Sequence, residues 1–201
     1  RLSMFWVDLD QPGVTRRKLR KNVWMPSDLT RLTFKDAEIP AAHLMGTRGR
    51  GLQQVLTIFT HSRVPISALT LGSAAGAMDL ALERLRRRQI FGRPLSDFQA
   101  KAFEAADYYT RLQAARAMVI KACQAVEAEN DFRLQASMAK YLAVEIARQI
   151  GAWTADLFGA ASVMADHPAH RFPLDAWASS LGEGTQDIQK LIIARHILSE
   201  P

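Results

Sequence analysis

From Gly51 onward the apolar positions recur with a helical period. Leu71, Ala75, Met78, Leu82 and Leu85 step by 4, 3, 4 and 3 along one face. Phe98, Ala102, Ala105, Tyr109 and Leu112 repeat that stepping, and Leu142, Ile146, Ile150, Trp153 and Leu157 give a third stripe. Ile188, Leu191, Ile192 and Leu198 predict a fourth, shorter helix. Three long amphipathic helices and a short one, each with a face to bury, favour an antiparallel four-helix bundle. Gly92-Arg93-Pro94 separates the first helix from the second, and Ala128–Asp131 is a polar link to the third. Residues 159–183, with Pro168 and Pro173, read as the longest irregular stretch.

The first fifty residues have a different texture. Leu2–Val7 reads as a strand ended by the turn sequence Asp10-Gln11-Pro12-Gly13, and Arg31–Phe34 alternates as a half-buried strand does. Ile39-Pro40 breaks the second strand. So few strands cannot bury both faces of a sheet, so they read as part of a β domain. The expected class is therefore mainly α: a four-helix bundle over 51–201 preceded by a partial β domain over 1–50. No internal repeat or low-complexity tract interrupts this plan.

Composition narrows the classes. At 201 residues, 48% hydrophobic and 23% charged, the chain is neither disordered nor fibrous. It has no run of eighteen apolar residues, so no membrane span is expected, and its start lacks the pattern of a signal peptide. It does not begin with Met, which raises the expectation of a processed chain or a fragment. One cysteine, Cys123, excludes a disulfide framework, and its Ala-rich helical setting predicts a small buried hydrophobe. A reducing compartment fits that usage. The net charge of +6 concentrates at Arg16-Arg17-Lys18, Arg20-Lys21 and Arg84–Arg88. Without aromatic interleaving or a recognition motif this is a solvated basic face or a phosphate site rather than a nucleic-acid surface. The five histidines have no zincin spacing, so no metal is implied.

Three segments in order carry a resemblance. Arg88-Gln89-Ile90-Phe91-Gly92-Arg93-Pro94-Leu95, followed by Phe98-Gln99, resembles the R-x-x-F-G-x-x-L…Q signature of the acyl-CoA dehydrogenase family. Glu183-Gly184-Thr185-Gln186-Asp187-Ile188-Gln189 resembles its E-G-T-x-x-I-Q segment. Ile39-Pro40 through Gly46, then Gly49-Arg50-Gly51, is similar to its passage from the middle β domain into the helical domain. The resemblance covers nearly the whole chain. It has no counterpart to that family's N-terminal helical domain and early β strands, which help enclose flavin and substrate.

The resemblance implies an FAD-dependent dehydrogenase that places a double bond between Cα and Cβ of an acyl-CoA, with an electron-transfer flavoprotein as acceptor. An acyl-CoA oxidase or another flavoenzyme of the same fold, and a non-catalytic subunit of a heteromer, are the other readings. It implies a homotetramer or a heteromer with a homologous subunit. It also implies a cytoplasmic location, or the mitochondrial matrix in a eukaryote. Glu183 becomes the α-proton base, a role that suits a carboxylate whose pKa a dry site raises. Its other reading is a first-turn carboxylate favoured by the helix dipole. Some relatives place the base near Arg63, where this chain has His61 and Ser62 and no carboxylate.

Arg88 matches the family's arginine for the FAD pyrophosphate, which a guanidinium grips with two prongs. It reads otherwise as one member of a basic helix end. Phe91 would flank the cofactor and Gln99 would bond near its adenine end; in the family these groups and the arginine reach the FAD of a neighbouring subunit. Gly159 lies in the family's flavin-side turn. Thr185 would cap the last helix beside the cofactor. Arg63, before the Pro65 expected to open the first helix, and Gly184 would face the acyl-CoA. Arg63 reads equally well as a structural ion pair. The departures are local. Gly159-Ala160-Ala161-Ser162 replaces a Gly-Gly-x-Gly turn, Asp156 replaces a glutamine, Leu174 replaces an arginine, and Gly182 replaces an aromatic residue before the glutamate.

Overall fold

Residues Gly51–Arg87 form one continuous helix, α1, in the computed structural model, which describes residues 1–129 and 131–199. Pro65 lies inside α1 and does not open it. Its ring nitrogen cannot donate to the carbonyl four residues back, yet fourteen residues already precede it in the helix. By length and composition α1 is also able to cross a membrane, a property that a count of consecutive apolar residues overlooks. Its Val64, Leu71, Ala74, Met78, Ala81 and Leu85 belong to the protein core.

The chain divides into two compact units, Arg1–Phe59 and Thr60–Pro201. In the first, β1 (Met4–Phe5) and β2 (Val14–Lys18) are followed by β3 (Thr30–Phe34) and β4 (Leu44–Met45). β1 pairs antiparallel with β4, Met4 opposite Met45. β2 pairs antiparallel with β3, Val14 opposite Phe34. The first strand is thus shorter than the Leu2–Val7 pattern predicts. β2 falls in a basic stretch that hides it from a hydrophobic scan. β3 is exposed at every position rather than half-buried. Its alternation is real, but two-stranded ladders leave no second layer to cover Leu32 and Phe34.

In the second unit, a two-residue turn joins β5 (Gln89–Ile90) to β6 (Arg93–Pro94). Phe91 and Gly92 both have positive φ, 47° and 78°, as such a turn requires. Then come α2 (Gln99–Glu127), α3 (Arg133–Phe158), α4 (Arg171–Ser179) and α5 (Gln186–Leu198). α3 is central and packs against α2, α4 and α5. Its Ala136, Ala139, Ala143, Ile146 and Ile150 are buried, and so are Ala115 and Ala122 of α2. Small side chains let the helices approach closely. Ile150→Ala would cost about 2–5 kcal/mol through the cavity left behind.

Four expectations need correction. The 159–183 stretch is not irregular throughout, because it contains α4. α4 fits because Gly151 has no Cβ: one there would stand 3.0 Å from the Phe172 carbonyl carbon and the Pro173 nitrogen. Among the described residues α4 thus stands beside the four helices that the periodicity marks. The α5 stripe does not form a core face: Ile188, Leu191 and Leu198 are exposed, and the buried residue is Gln189. Cys123 is exposed, because the α2 face turned inward carries Ala115, Val119 and Ala122 instead. Within the stripes, Ala75 and Tyr109 likewise face outward.

Candidate functional site

The turn that leads into α5 is left-handed at two successive residues, with φ of 56° at Glu183 and 91° at Gly184. At Gly184 the second of these needs glycine. A Cβ there would lie 3.0 Å from Gln189 Nε2 and 3.1 Å from Ile188 Cγ2. At Glu183 the conformation is strained for a residue with a Cβ and must be held by its surroundings.

Those surroundings are hydrogen-bond donors from three helices. Arg63 of α1, buried, donates Nε–H to the Glu183 carbonyl at 3.2 Å. Gln189 of α5, also buried, donates Nε2–H to the carbonyls of Glu183 and Gly184 at 3.2 and 2.9 Å. Lys140 of α3 is fully buried and donates from Nζ to the Gly184 carbonyl at 2.6 Å. The Glu183 side chain turns to α1, where Ser62 Oγ donates to its Oε2 at 2.6 Å. The carboxylate is half-buried, and Oε1 accepts no hydrogen bond among the described residues.

Burial sets the electrostatics. It pushes the Lys140 ammonium down to about 8. The like charge of Arg63 adds to that effect and the Glu183 carboxylate opposes it. Burial also lowers the Arg63 guanidinium from its usual value, again against the pull of Glu183.

The structure brings Arg63, Glu183 and Gly184 together, with Thr185 next in the chain. Thr185 occupies the N-cap position of α5, but its side chain makes no capping bond. Its carbonyl instead accepts from the Gln189 N–H. Sequence reasoning missed Lys140, Gln189 and the contact of Ser62 with the carboxylate. A signal for Lys140 was present. Ala136, Lys140, Ala143 and Ala147 step by 4, 3 and 4, so a cation sits on an otherwise apolar stripe.

Arg88, Phe91 and Gln99 occupy the β5–β6 hairpin and the first turn of α2. Leu95 N–H donates to the Arg88 carbonyl at 2.8 Å. The Arg88 guanidinium is exposed and makes no ion pair or hydrogen bond among the described residues. The Phe91 ring is 96% exposed at the tip of the hairpin. An exposed guanidinium without a partner among the described residues suits an anion. Gly159 ends α3 with φ of 56°, and a Cβ there would meet nothing within 4 Å, so the turn faces open space. Ser162 Oγ turns back to the Gly159 carbonyl at 2.7 Å. Asp156 is exposed and lines a 580 Å³ recess with Leu95, Lys101, Glu104 and Trp153. These positions fit FAD, the group the resemblance implies, at Arg88, Phe91 and Gly159.

Residues 49–198 match the family model described as acyl-CoA dehydrogenase, C-terminal domain. The chain is 35% identical over 200 residues to cyclohexane-1-carbonyl-CoA dehydrogenase of Geobacter metallireducens, covering 99% of this chain and 53% of that protein. It superposes on butyryl-CoA dehydrogenase from Megasphaera elsdenii with a TM-score of 0.94 at 28% identity, covering 98% of this chain and 52% of the other. A structure of PigA with FAD and proline is similar with a TM-score of 0.91 at 28% identity, covering 97% and 51%. The chain thus spans about half the length of the relatives it matches.

Proposed function

The chain belongs to the acyl-CoA dehydrogenase family, and from that premise we propose that it forms the base-bearing part of an FAD-dependent α,β-dehydrogenation of an acyl-CoA thioester. The observation that carries the reading is the Glu183 carboxylate, set on a left-handed turn fixed by buried donors, with one oxygen anchored and the other without a hydrogen bond among the described residues. Oε2 is occupied by the Ser62 hydroxyl. Oε1 is left to take the α proton of the thioester. FAD, when bound, supplies the acceptor for the hydride that leaves Cβ. Arg88 would hold the pyrophosphate of the FAD of a neighbouring subunit, with Phe91 and Gln99 along that cofactor, and Gly159 and Thr185 would border a cofactor as well. Arg63 and Gly184 would border the acyl-CoA, Arg63 with its remaining guanidinium nitrogens. An electron-transfer flavoprotein is the expected acceptor.

The test is Glu183→Gln in the full-length protein, with flavin reduction by acyl-CoA followed after anaerobic mixing. Flavin and acyl-CoA should still bind, because Glu183 is not proposed to hold either. Reduction should slow by at least ~10²-fold, the lower range for removing a general base. A variant as fast as the parent returns Glu183 to a helix-start residue.

A second reading has its own observation. Asp156 on the recess and Ser162 folded back on Gly159 alter the flavin-side turn, which favours a subunit that supplies a helical domain to a more typical partner. Flavin retained after purification without any homologous subunit would argue against it.

A further inference from the structure

Lys140 has no place in the reaction as described, yet it is the largest of the fully buried side chains. It sits mid-way along α3 on a stripe of alanines, where a methionine or leucine would fill the same space with no charge to desolvate. Burial pushes its ammonium down to about 8, so the folded chain carries a lysine that it holds at a cost. Its hydrogen bond goes to the Gly184 carbonyl, 2.6 Å away. That carbonyl does not depend on it for a partner, because Gln189 Nε2 donates to the same oxygen at 2.9 Å. Satisfying the backbone therefore does not explain the lysine.

Its geometric effect does. Gly184 follows Glu183 directly, and the two residues turn left-handed in succession. Gln189 reaches this turn from α5, the helix the turn itself begins, so its bonds are local to that segment. Lys140 reaches it from α3, at the centre of the domain. Arg63 reaches the Glu183 carbonyl from α1. Among the described residues, Lys140 and Arg63 are the donors from outside α5 to the turn's own carbonyls; Ser62 holds the Glu183 side chain, and Gln186 ties the start of α5 to the Tyr141 carbonyl of α3. Lys140 acts through a charge-assisted bond, which is stronger than a neutral one.

We propose that Lys140 is a positioning residue for Glu183: its buried ammonium, bonded to the Gly184 carbonyl, fixes the left-handed turn from which the Glu183 carboxylate reaches Ser62. The proposal rests on Glu183 being the base. Displacing a reacting group by about 1 Å can cost 10²-fold in rate, which gives such a tether its leverage.

The experiment uses full-length, FAD-loaded protein with Lys140→Met, Lys140→Gln, Glu183→Gln and the Lys140→Met/Glu183→Gln double variant. Anaerobic mixing with an acyl-CoA gives the limiting rate of flavin reduction and the half-saturating concentration, and a melting curve gives stability. For Lys140→Met the limiting rate should fall by about 10-fold or more. Half-saturation and flavin content should stay within about twofold, and the melting temperature should hold or rise. Lys140→Gln, which keeps a donor, should recover part of the rate. The double variant should be no slower than Glu183→Gln alone, because Lys140 acts only through Glu183.

Lys140→Met that fails to fold, or melts lower and binds acyl-CoA weakly, makes Lys140 a structural residue and overturns the proposal. So does a Lys140→Met rate equal to the parent's when Glu183→Gln is slow, which leaves the base assignment standing. A fast Glu183→Gln overturns the base assignment and the proposal with it.

Discussion

Ser62 Oγ donates to Glu183 Oε2 at 2.6 Å across 121 positions of sequence. This bond anchors one carboxylate oxygen to α1 and leaves the other without a hydrogen bond among the described residues. A hydrogen bond to a charged group contributes about 1.5–3 kcal/mol. Ser62→Ala should therefore slow flavin reduction in the full-length protein by roughly tenfold or more. Acyl-CoA affinity should barely change, because the hydroxyl is engaged with the base. Ser62→Thr keeps the hydroxyl and should recover most of the rate. Equal rates for Ser62→Ala and the parent would show that the anchor is not used in the reaction.

Arg88 is an exposed guanidinium without a partner among the described residues. In the full-length protein, Arg88→Lys should lower flavin retention through purification, and Arg88→Ala should lower it further. The two-pronged grip is lost in the first and the charge in the second. Flavin content measured from its absorbance checks both. Unchanged occupancy in Arg88→Ala would remove Arg88 from the cofactor site.

Lys140 also makes stability depend on pH. Its ammonium is pushed down from 10.5 to about 8 in the folded chain, so between those values the unfolded chain binds more protons. Stability from this group is lowest below about pH 8 and is regained as pH rises towards 10.5. At about 1.4 kcal/mol per pH unit, the full swing is on the order of 3.5 kcal/mol. Lys140→Met should exceed the parent in melting temperature most at pH 7, with the gap narrowing by pH 10. A gap that stays constant with pH would show that the lysine is not penalised by burial.

Assembly follows from what the bundle leaves uncovered. Leu69, Phe103, Ile120, Leu191 and Ile197 are large apolar side chains at 44% exposure or more. Large apolar side chains of this kind mark an interface where they form a contiguous patch. The full-length protein should self-associate or pair with a homologous subunit. Light scattering at micromolar concentration should give a mass well above one chain. A monodisperse monomer would contradict the expectation.

The sequence by itself determined the helical domain and the segments that carry the chemistry. Local rules suffice for this: a 3.6-residue period marks α1, α2 and α3 whatever they pack against, and Glu183-Gly184-Thr185 is contiguous. The same rules failed where burial depends on distant residues. α4 was hidden because its nine residues carry Pro173 and lie beside Gly151, whose missing Cβ makes room only once the chain has folded. β3 alternates, but nothing in its own five residues says whether a second layer covers it. Cys123 and the α5 stripe show the same limit, since which face turns inward is settled by the neighbouring helices. The tertiary structure alone decided the setting of Glu183. Ser62, Arg63, Lys140 and Gln189 come from three helices far apart in the chain, and hydrogen-bond geometry between them is a property of packing, not of spacing. A lysine on an alanine stripe was visible as an anomaly. Only the fold shows that its ammonium ends at the carbonyl next to the carboxylate.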